Sequence, residues 1–179
     1  MANLETIGAK EFYEEYLPQR FAEADVQEGG YVLLYQVGEV TYTCRVTEDR
    51  RLEVISDGLD SPLMAIQISE QDWRDAITGR VAARSLLVEP GRISAQRLQK
   101  IRDLRGKLEL ELSRSDGEPW RVVTIFNGAE APAVKLQMSA EDYAAIERGE
   151  LNSQMAFMSG RLKFQGDLGL LMKVGSLLA

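Results

Sequence analysis

The chain has 179 residues, 45% of them hydrophobic and 27% charged, with a formal net charge of −7, a single cysteine and no histidine. The acidic balance argues against nucleic acid as a partner, because affinity for a polyanion comes from Lys and Arg neutralising phosphates, and the missing histidine removes every Ser-His-Asp, Cys-His and His-ligated metal arrangement. No apolar run approaches a membrane span, Cys44 has no partner for an internal disulfide, and residues Met1 to Gly8 lack the basic start and apolar stretch of a secretory signal, so a reducing cytoplasm is the expected location.

Residues from about Ala9 to Ala24 read as a helix, with Phe12, Tyr13, Tyr16, Leu17 and Phe21 at helical spacing, kinked or broken at Pro18. Strand signals come next over Tyr31 to Val37, Val40 to Thr47 and Arg51 to Ser56, with turns at Gly38-Glu39 and Glu48-Asp49-Arg50, so a meander is expected. Asp57-Gly58 ends it, and Leu63 to Ile68 reads as a further short strand after Pro62. Ser69 then stands at a strand-to-helix boundary as an N-cap, with Asp72 three residues on.

Seventy residues later this segment returns. Ile66 to Gly79 and Leu136 to Gly149 share Gln, Ser, Asp and Gly, with Trp73 answered by Tyr143, and Gly58 and Pro62 answered upstream by Gly128 and Pro132. One supersecondary unit used twice is the reading, with Ser69, Asp72, Ser139 and Asp142 as caps and the two aromatics as anchors to the sheet. Between the copies, Arg80 to Lys107 carries eight basic residues (Arg80, Arg84, Arg92, Arg97, Lys100, Arg102, Arg105, Lys107) against Glu89 and Asp103. It is either a solvated basic helix offsetting acidic neighbours or a docking strip for an anionic membrane or an acidic protein. A helix over Ser94 to Arg105, a hairpin of Lys107 to Ser113 and Trp120 to Phe126, and a strand over Val134 to Met138 complete the second unit.

The segment after the second copy has no counterpart after the first. Gly160 and Gly166 bracket a five-residue strand in which Leu162 and Phe164 point one way while Arg161, Lys163 and Gln165 point the other. Asp167 caps a helix bearing Leu168, Leu170, Leu171, Met172, Val174, Leu177 and Leu178, apolar around most of its circumference, which must be sandwiched by protein, close a cavity or meet a partner. Four of the six methionines (Met138, Met155, Met158, Met172) fall in this last part of the chain, suiting a surface that accommodates variable apolar shapes.

The run Gly149 to Lys173, with its Asn152-Ser153-Gln154 triplet, Ala156-Phe157 pair, Gly-bracketed strand and Gly-Leu-rich helix, resembles the signature stretch of the sterol carrier protein 2 family. The likeness is strongest over residues 134–178. Ser153 stands where the family commonly has Pro, and the short link from Phe126 to Val134 omits a strand. Residues 9–79 resemble the N-terminal portion of the same domain, but after Gly79 the first unit continues with Val81, Ala82, Leu86, Leu87 and Val88 and lacks the bracketed strand and apolar helix.

The resemblance implies an α+β fold: a five-stranded, mostly antiparallel sheet with helices on one face and an apolar tunnel between them for sterols, fatty acids, fatty acyl-CoA and other elongated lipids. Residues 1–93 are then a degenerate sterol carrier protein 2-like module supplying the missing strands, and 94–179 the lipid-binding module, packed as one unit. Carried over residue by residue, the tunnel is lined or lidded by Met138, Met155, Phe157, Met158, Leu162, Phe164, Leu168, Leu171, Met172 and Leu178, with Gln154 at its mouth. The expected function is non-enzymatic lipid binding or transfer with no cofactor or metal. Two alternatives stand beside it: a histidine-free cyclase or isomerase acting on a hydrophobic molecule in the same cavity, and an interaction module, such as a homodimer, using the apolar C-terminal helix.

Overall fold

The alternation of apolar and polar residues along the strands becomes one continuous eight-stranded sheet in the computed structural model, which describes residues 2–56, 61–84, 87 and 90–178. Gly58, Leu86, Val88, Glu89 and the side chain of Leu178 lie outside the described residues. In space the strands run β3-β2-β1-β4-β6-β5-β7-β8. They are β1 (Tyr31–Val37), β2 (Val40–Val46), β3 (Leu52–Ile55), β4 (Met64–Ile68), β5 (Gly106–Ser113), β6 (Trp120–Phe126), β7 (Ala133–Ser139) and β8 (Lys163–Gly166). Only β1 with β4 and β5 with β7 pair in parallel; the other neighbours are antiparallel.

The two halves of the sheet share a connection pattern. A hairpin, β1–β2 or β5–β6, is succeeded by a strand that returns parallel to the hairpin's first member, β4 or β7. The halves join where β4 pairs with β6, Ile66 lying opposite Thr124. β4 thereby lies outside β6, where the first half has its own β3 outside β2. The sheet is therefore larger than the five strands the family resemblance implies, and its second half borrows a flank from the first.

Helices α1 (Ala9–Glu11) and α2 (Leu17–Ala22) run into each other through a π-helical turn, Phe12–Tyr16. Pro18 does not break them. The Leu17 amide reaches back to the Phe12 carbonyl, and this wider turn just before the proline is where the helix departs from regular geometry. Phe12, Tyr13, Leu17 and Phe21 are buried by this element on the first half of the sheet. Helix α3 (Glu70–Ile77) is capped by Ser69, whose hydroxyl accepts from the Asp72 amide at 3.0 Å, and α5 (Ala140–Glu147) repeats this with Ser139 and Asp142 at 3.0 Å. Helix α4 (Ala95–Arg102) is tied at its C-terminal end by Asn127, whose amide donates to Ile101 O and Leu104 O, both at 2.8 Å. A short helix, α6 (Ser153–Met158), and a long one, α7 (Leu168–Leu178), complete the chain; α6 is not anticipated by the sequence pattern.

One face of the sheet carries the core. Leu33 and Tyr35 of β1, Ile66 of β4, Leu110 of β5, Val122 of β6 and Leu136 of β7 are all buried beneath the helices. The opposite face is polar at its centre, where Glu111 of β5 pairs with Arg121 of β6 at 2.8 Å and Lys135 of β7 at 3.4 Å. Contacts between halves extend above the sheet: Trp120 Nε1 donates to Asp72 O at 2.7 Å and Arg114 meets Asp75 at 2.7 Å.

The basic stretch is only partly a helix, and its basic side chains are mostly exposed while several of them reach groups on the same chain. Arg80 pairs with Glu5 at 3.2 Å, Lys100 Nζ donates to Ser176 O at 2.9 Å and Lys107 pairs with Glu109 at 3.2 Å. Arg102 reaches Gly30 O at 3.4 Å, and Arg105 donates to Arg102 O at 2.8 Å.

Candidate functional site

The second half of the sheet leaves a cavity open over β7 and β8. Several local devices shape it. α6 is started by Asn152, whose Oδ1 accepts from the Gln154 and Met155 amides at 2.8 and 3.2 Å. β8 then pairs with β7, Phe164 lying opposite Leu136 so that the two project from the same face. Gly166 ends β8 at φ +112°, and a Cβ there would run into the Ala133 carbonyl; only glycine lets the chain close on β7 and turn. Asp167 Oδ1 accepts from the Leu170 amide at 2.6 Å and starts α7 back across the sheet. Leu170 and Val174 anchor that helix at 2% and 3% exposure, Leu170 sitting so close to Gly106 that a side chain there would collide with it.

Between α5, α6, β7, β8 and α7 lies a cavity of about 710 Å³, inside the roughly 300–1,000 Å³ range of small-molecule sites. Met138, Gln154, Phe157, Leu162, Phe164, Leu168, Leu171 and Met172, eight of the eleven residues that the family resemblance implies for a tunnel, line it. Phe157 and Phe164 meet across it with ring centroids 5.5 Å apart. Met155 and Met158, expected in the lining, are absent from it and stand 60% and 73% exposed. The reason is helical geometry: on the short α6, Gln154 and Phe157 share one face and Met155 and Met158 the next. Leu178 is outside the described side chains.

The lining also contains residues that the sequence pattern does not mark. Leu136 comes from β7, and Val174 and Gly175 come from α7. Tyr143, Ile146 and Glu147 come from α5, a helix whose sequence reads as scaffold alone, and Ser153 from the start of α6. The Tyr143 hydroxyl donates to Glu147 Oε1 at 2.9 Å. α7 is not sandwiched by protein on both sides: Leu168 and Met172 line the cavity yet remain 57% and 70% exposed, forming its rim.

The corresponding place in the first half is filled. Tyr13, 2% exposed, stacks on Tyr42 at 4.6 Å between centroids and lies 5.0 Å from Tyr35, while Phe12 meets Trp73 edge-on at 5.4 Å. Burial, reinforced by Cys44 nearby, holds the Tyr13 hydroxyl well above the usual tyrosine range. Burial alone pushes the Cys44 thiol up to about 12, which leaves it an inert core residue. Only about 10 Å³ of void remains beside Phe12, Tyr13, Leu17 and Tyr35. The N-terminal helical element thus occupies, over the first half, the space that stays open beneath α6 and α7 in the second.

Residues 91–179, which contain every residue lining the larger cavity, match the family model described as the SCP-2 sterol transfer family. The chain belongs to the SCP-2 sterol transfer family. Among solved structures, this SCP-2 chain is 31% identical to the sterol carrier protein domain 2 of Helicoverpa armigera, covering 44% of this chain and 70% of that one, with a TM-score of 0.37. It is 19% identical to apo Sterol Carrier Protein 2 from Yarrowia lipolytica, covering 58% and 88%, with a TM-score of 0.39. Curated relatives include the peroxisomal multifunctional enzyme A of Dictyostelium discoideum, 26% identical over 111 residues, or 57% of this chain and 25% of that protein. Another is the hydroxysteroid dehydrogenase-like protein 2 of Rattus norvegicus, 30% identical over 86 residues, or 44% and 16%. The SCP-2 chain spans a quarter or less of the length of these two relatives. Among the described residues no helix is long and apolar enough to cross a membrane.

Proposed function

We propose that this protein binds elongated hydrophobic ligands in the cavity between α5, α6, β8 and α7, and carries them without chemical change. The observation that carries the reading is the cavity itself: about 710 Å³, walled mainly by Leu, Met, Phe and Val side chains, within the span matched to the SCP-2 sterol transfer family. Membership of a family described as sterol transfer supports ligand carriage as its use. Two curated relatives bear enzyme names, and we assign this chain the lipid-holding role beside such chemistry instead of the chemistry.

Apolar burial is sufficient for the affinity. At about 25 cal/mol per Å², a net gain near 8 kcal/mol, micromolar binding, needs roughly 330 Å² of ligand surface beyond the costs of association. No directional contact is required, and an extra methylene changes binding by only ~1 kcal/mol or slightly more, so loose shape selectivity results. The exposed rim of Leu168, Met172 and Phe157 gives the ligand an apolar path out, and methionine adapts to different shapes along it. In this reading residues 1–93 are a scaffold module whose β4 flanks the binding half.

Uptake of a pyrene-labelled long-chain alcohol tests the site. Phe157 and Met172 are 47% and 70% exposed, so Phe157→Asp and Met172→Asp leave the core intact while charging the cavity wall. Each is expected to weaken uptake at least about tenfold, the effect of roughly 1.4 kcal/mol of lost burial. Unchanged uptake in both variants would refute the assignment.

A further inference from the structure

Extending the lipid-carrying reading, we infer that the cavity mouth docks on the surface of an anionic lipid bilayer, with exposed apolar side chains of α6 and α7 entering the apolar layer and cations of α4 and α7 meeting the headgroups. On α7 the exposed residues are Leu168, Gly169, Met172, Lys173 and Ser176, which recur at the spacing of a single helix face. α6 adds Met155 and Met158, exposed and outside the cavity lining. Phe157, Leu168 and Met172 belong both to the lining and to the exposed surface, so the patch continues into the ligand chamber. A lipid passing between chamber and bilayer therefore stays against apolar side chains.

Charge identifies the occupant. In a chain of net charge −7, α4, α6 and α7 contain no Asp or Glu, whereas Arg97, Lys100, Arg102 and Lys173 lie on α4 and α7. The two basic helices meet, since Lys100 Nζ donates to the Ser176 carbonyl at 2.9 Å. This contact sets the Lys100 ammonium beside the exposed face of α7 that also carries Lys173, and its partner is a neutral carbonyl that leaves the charge uncancelled. Arg97 stands one turn before Lys100 on α4. Asp167, the acid just before α7, is engaged in its cap through the Leu170 amide. α5, the acidic wall of the cavity with Glu141, Asp142 and Glu147, stays outside the contact, and Asp142 meets Arg161 at 3.8 Å.

An anionic bilayer matches both parts of this surface, because its acyl layer receives the Met, Leu and Phe side chains and its phosphates receive the cations. A second copy of the chain does not match it. Isologous pairing would set the cations of α4 and α7 against themselves, with no carboxylate on the three helices to receive them.

Flotation of the full chain with phosphatidylcholine vesicles, pure or containing about a third phosphatidylglycerol, tests the inference. Binding is expected to be at least about tenfold tighter to the anionic vesicles and to weaken as salt is added. The double variant Lys100→Gln, Lys173→Gln is expected to lose at least about tenfold in anionic-vesicle binding, and Met155→Gln, Met158→Gln at least about fivefold. All four positions are outside the cavity lining, so both variants are expected to keep wild-type uptake of the pyrene-labelled alcohol, which also shows that they fold. Arg20→Gln, Arg51→Gln removes two exposed cations from α2 and the β2–β3 turn, on the other half of the sheet, and is expected to bind as wild type does. Equal binding to neutral and anionic vesicles, no binding to either, unchanged binding in either double variant, or the same loss in the arginine control would each overturn the inference. So would a dimer in solution that Met155→Gln, Met158→Gln takes apart, since a second copy would then be the occupant. Uptake is read separately: a wild type that floats as expected yet takes up no alcohol would refute the carrying reading and leave the docking surface in place.

Discussion

Replacing Asp75 by Ala should destabilise the whole molecule, because this carboxylate fastens the first half of the chain to the second. Asp75 lies on α3 with its side chain 4% exposed, 2.7 Å from Arg114 at the end of the β5–β6 hairpin, and it also accepts from Gln71 Nε2 at 2.9 Å. Arg114 is itself 15% exposed and also donates to the Glu118 carbonyl at 2.9 Å. Removing one member of such a buried pair strands the other's charge, at a cost of about 3–5 kcal/mol. Because the guanidinium retains some solvent and one carbonyl, the lower end, about 3 kcal/mol, is expected. For a chain of this size that corresponds to a fall of roughly 6–12 °C in Tm.

Urea unfolding monitored by tryptophan fluorescence and by far-ultraviolet circular dichroism measures the loss. The two probes should give coincident transitions, since β4 and β6 make one sheet of the two halves. The double variant Asp75→Leu, Arg114→Met should recover most of the lost stability, because it removes both charges and leaves none unpaired. A loss below about 1 kcal/mol in Asp75→Ala, or two separated transitions in the wild type, would refute the reasoning.

Two further outcomes can be measured in the same way. Hydrogen bonding to Arg121 first, then to Gln137 and Lys135, lowers the Glu111 carboxyl from its ordinary value to about 2. The stabilisation is thus complete above the unfolded-state value near 4.5 and is lost as pH falls toward 2; screened at the surface it amounts to about 1 kcal/mol. Glu111→Gln should therefore be less stable than wild type at pH 7, with the difference shrinking below pH 4.5 and vanishing only as pH falls through about 2, and a constant difference from pH 7 down to 2 would contradict the linkage. Tyr13→Ala should cost about 3–4 kcal/mol by emptying the space between Tyr35, Tyr42 and Trp73, and a loss under 1 kcal/mol would mean that the N-terminal element does not plug the first half.

Strands are legible in the sequence wherever one face is buried and the other wet. β1 and β6 coincide with the runs read from alternation, because tyrosine, valine and leucine at every second position fix the register against a one-sided core. The caps at Ser69 and Ser139 are equally plain, since their chemistry is local. Pairing between distant strands is not, because periodicity carries no information about which strand will lie beside β4, and the union of β4 with β6 gives eight strands where the resemblance implies five. α6 escapes notice for a different reason: six residues are too few to show a helical repeat, and its signal is the single Asn152 cap.

At the site, the residues after Gly149 are marked by a family likeness, and those with described side chains converge on one cavity except for Met155 and Met158, which a six-residue helix turns outward. Tyr143, matched to Trp73 in the repeat, reads there as an anchor to the sheet, and Glu147 escapes a comparison that weighs only what the two copies of the helix share. Their difference holds the clue: Ile77 in one copy, buried, and Glu147 in the other, at a cavity wall.

Native mass spectrometry of protein purified without detergent or organic solvent is the most direct test of ligand carriage. The account predicts that the chain flies with a copurified lipid, bound one to one and released on gentle activation. Protein that emerges as an empty, tight dimer, or bound to a discrete non-lipid metabolite, would contradict it.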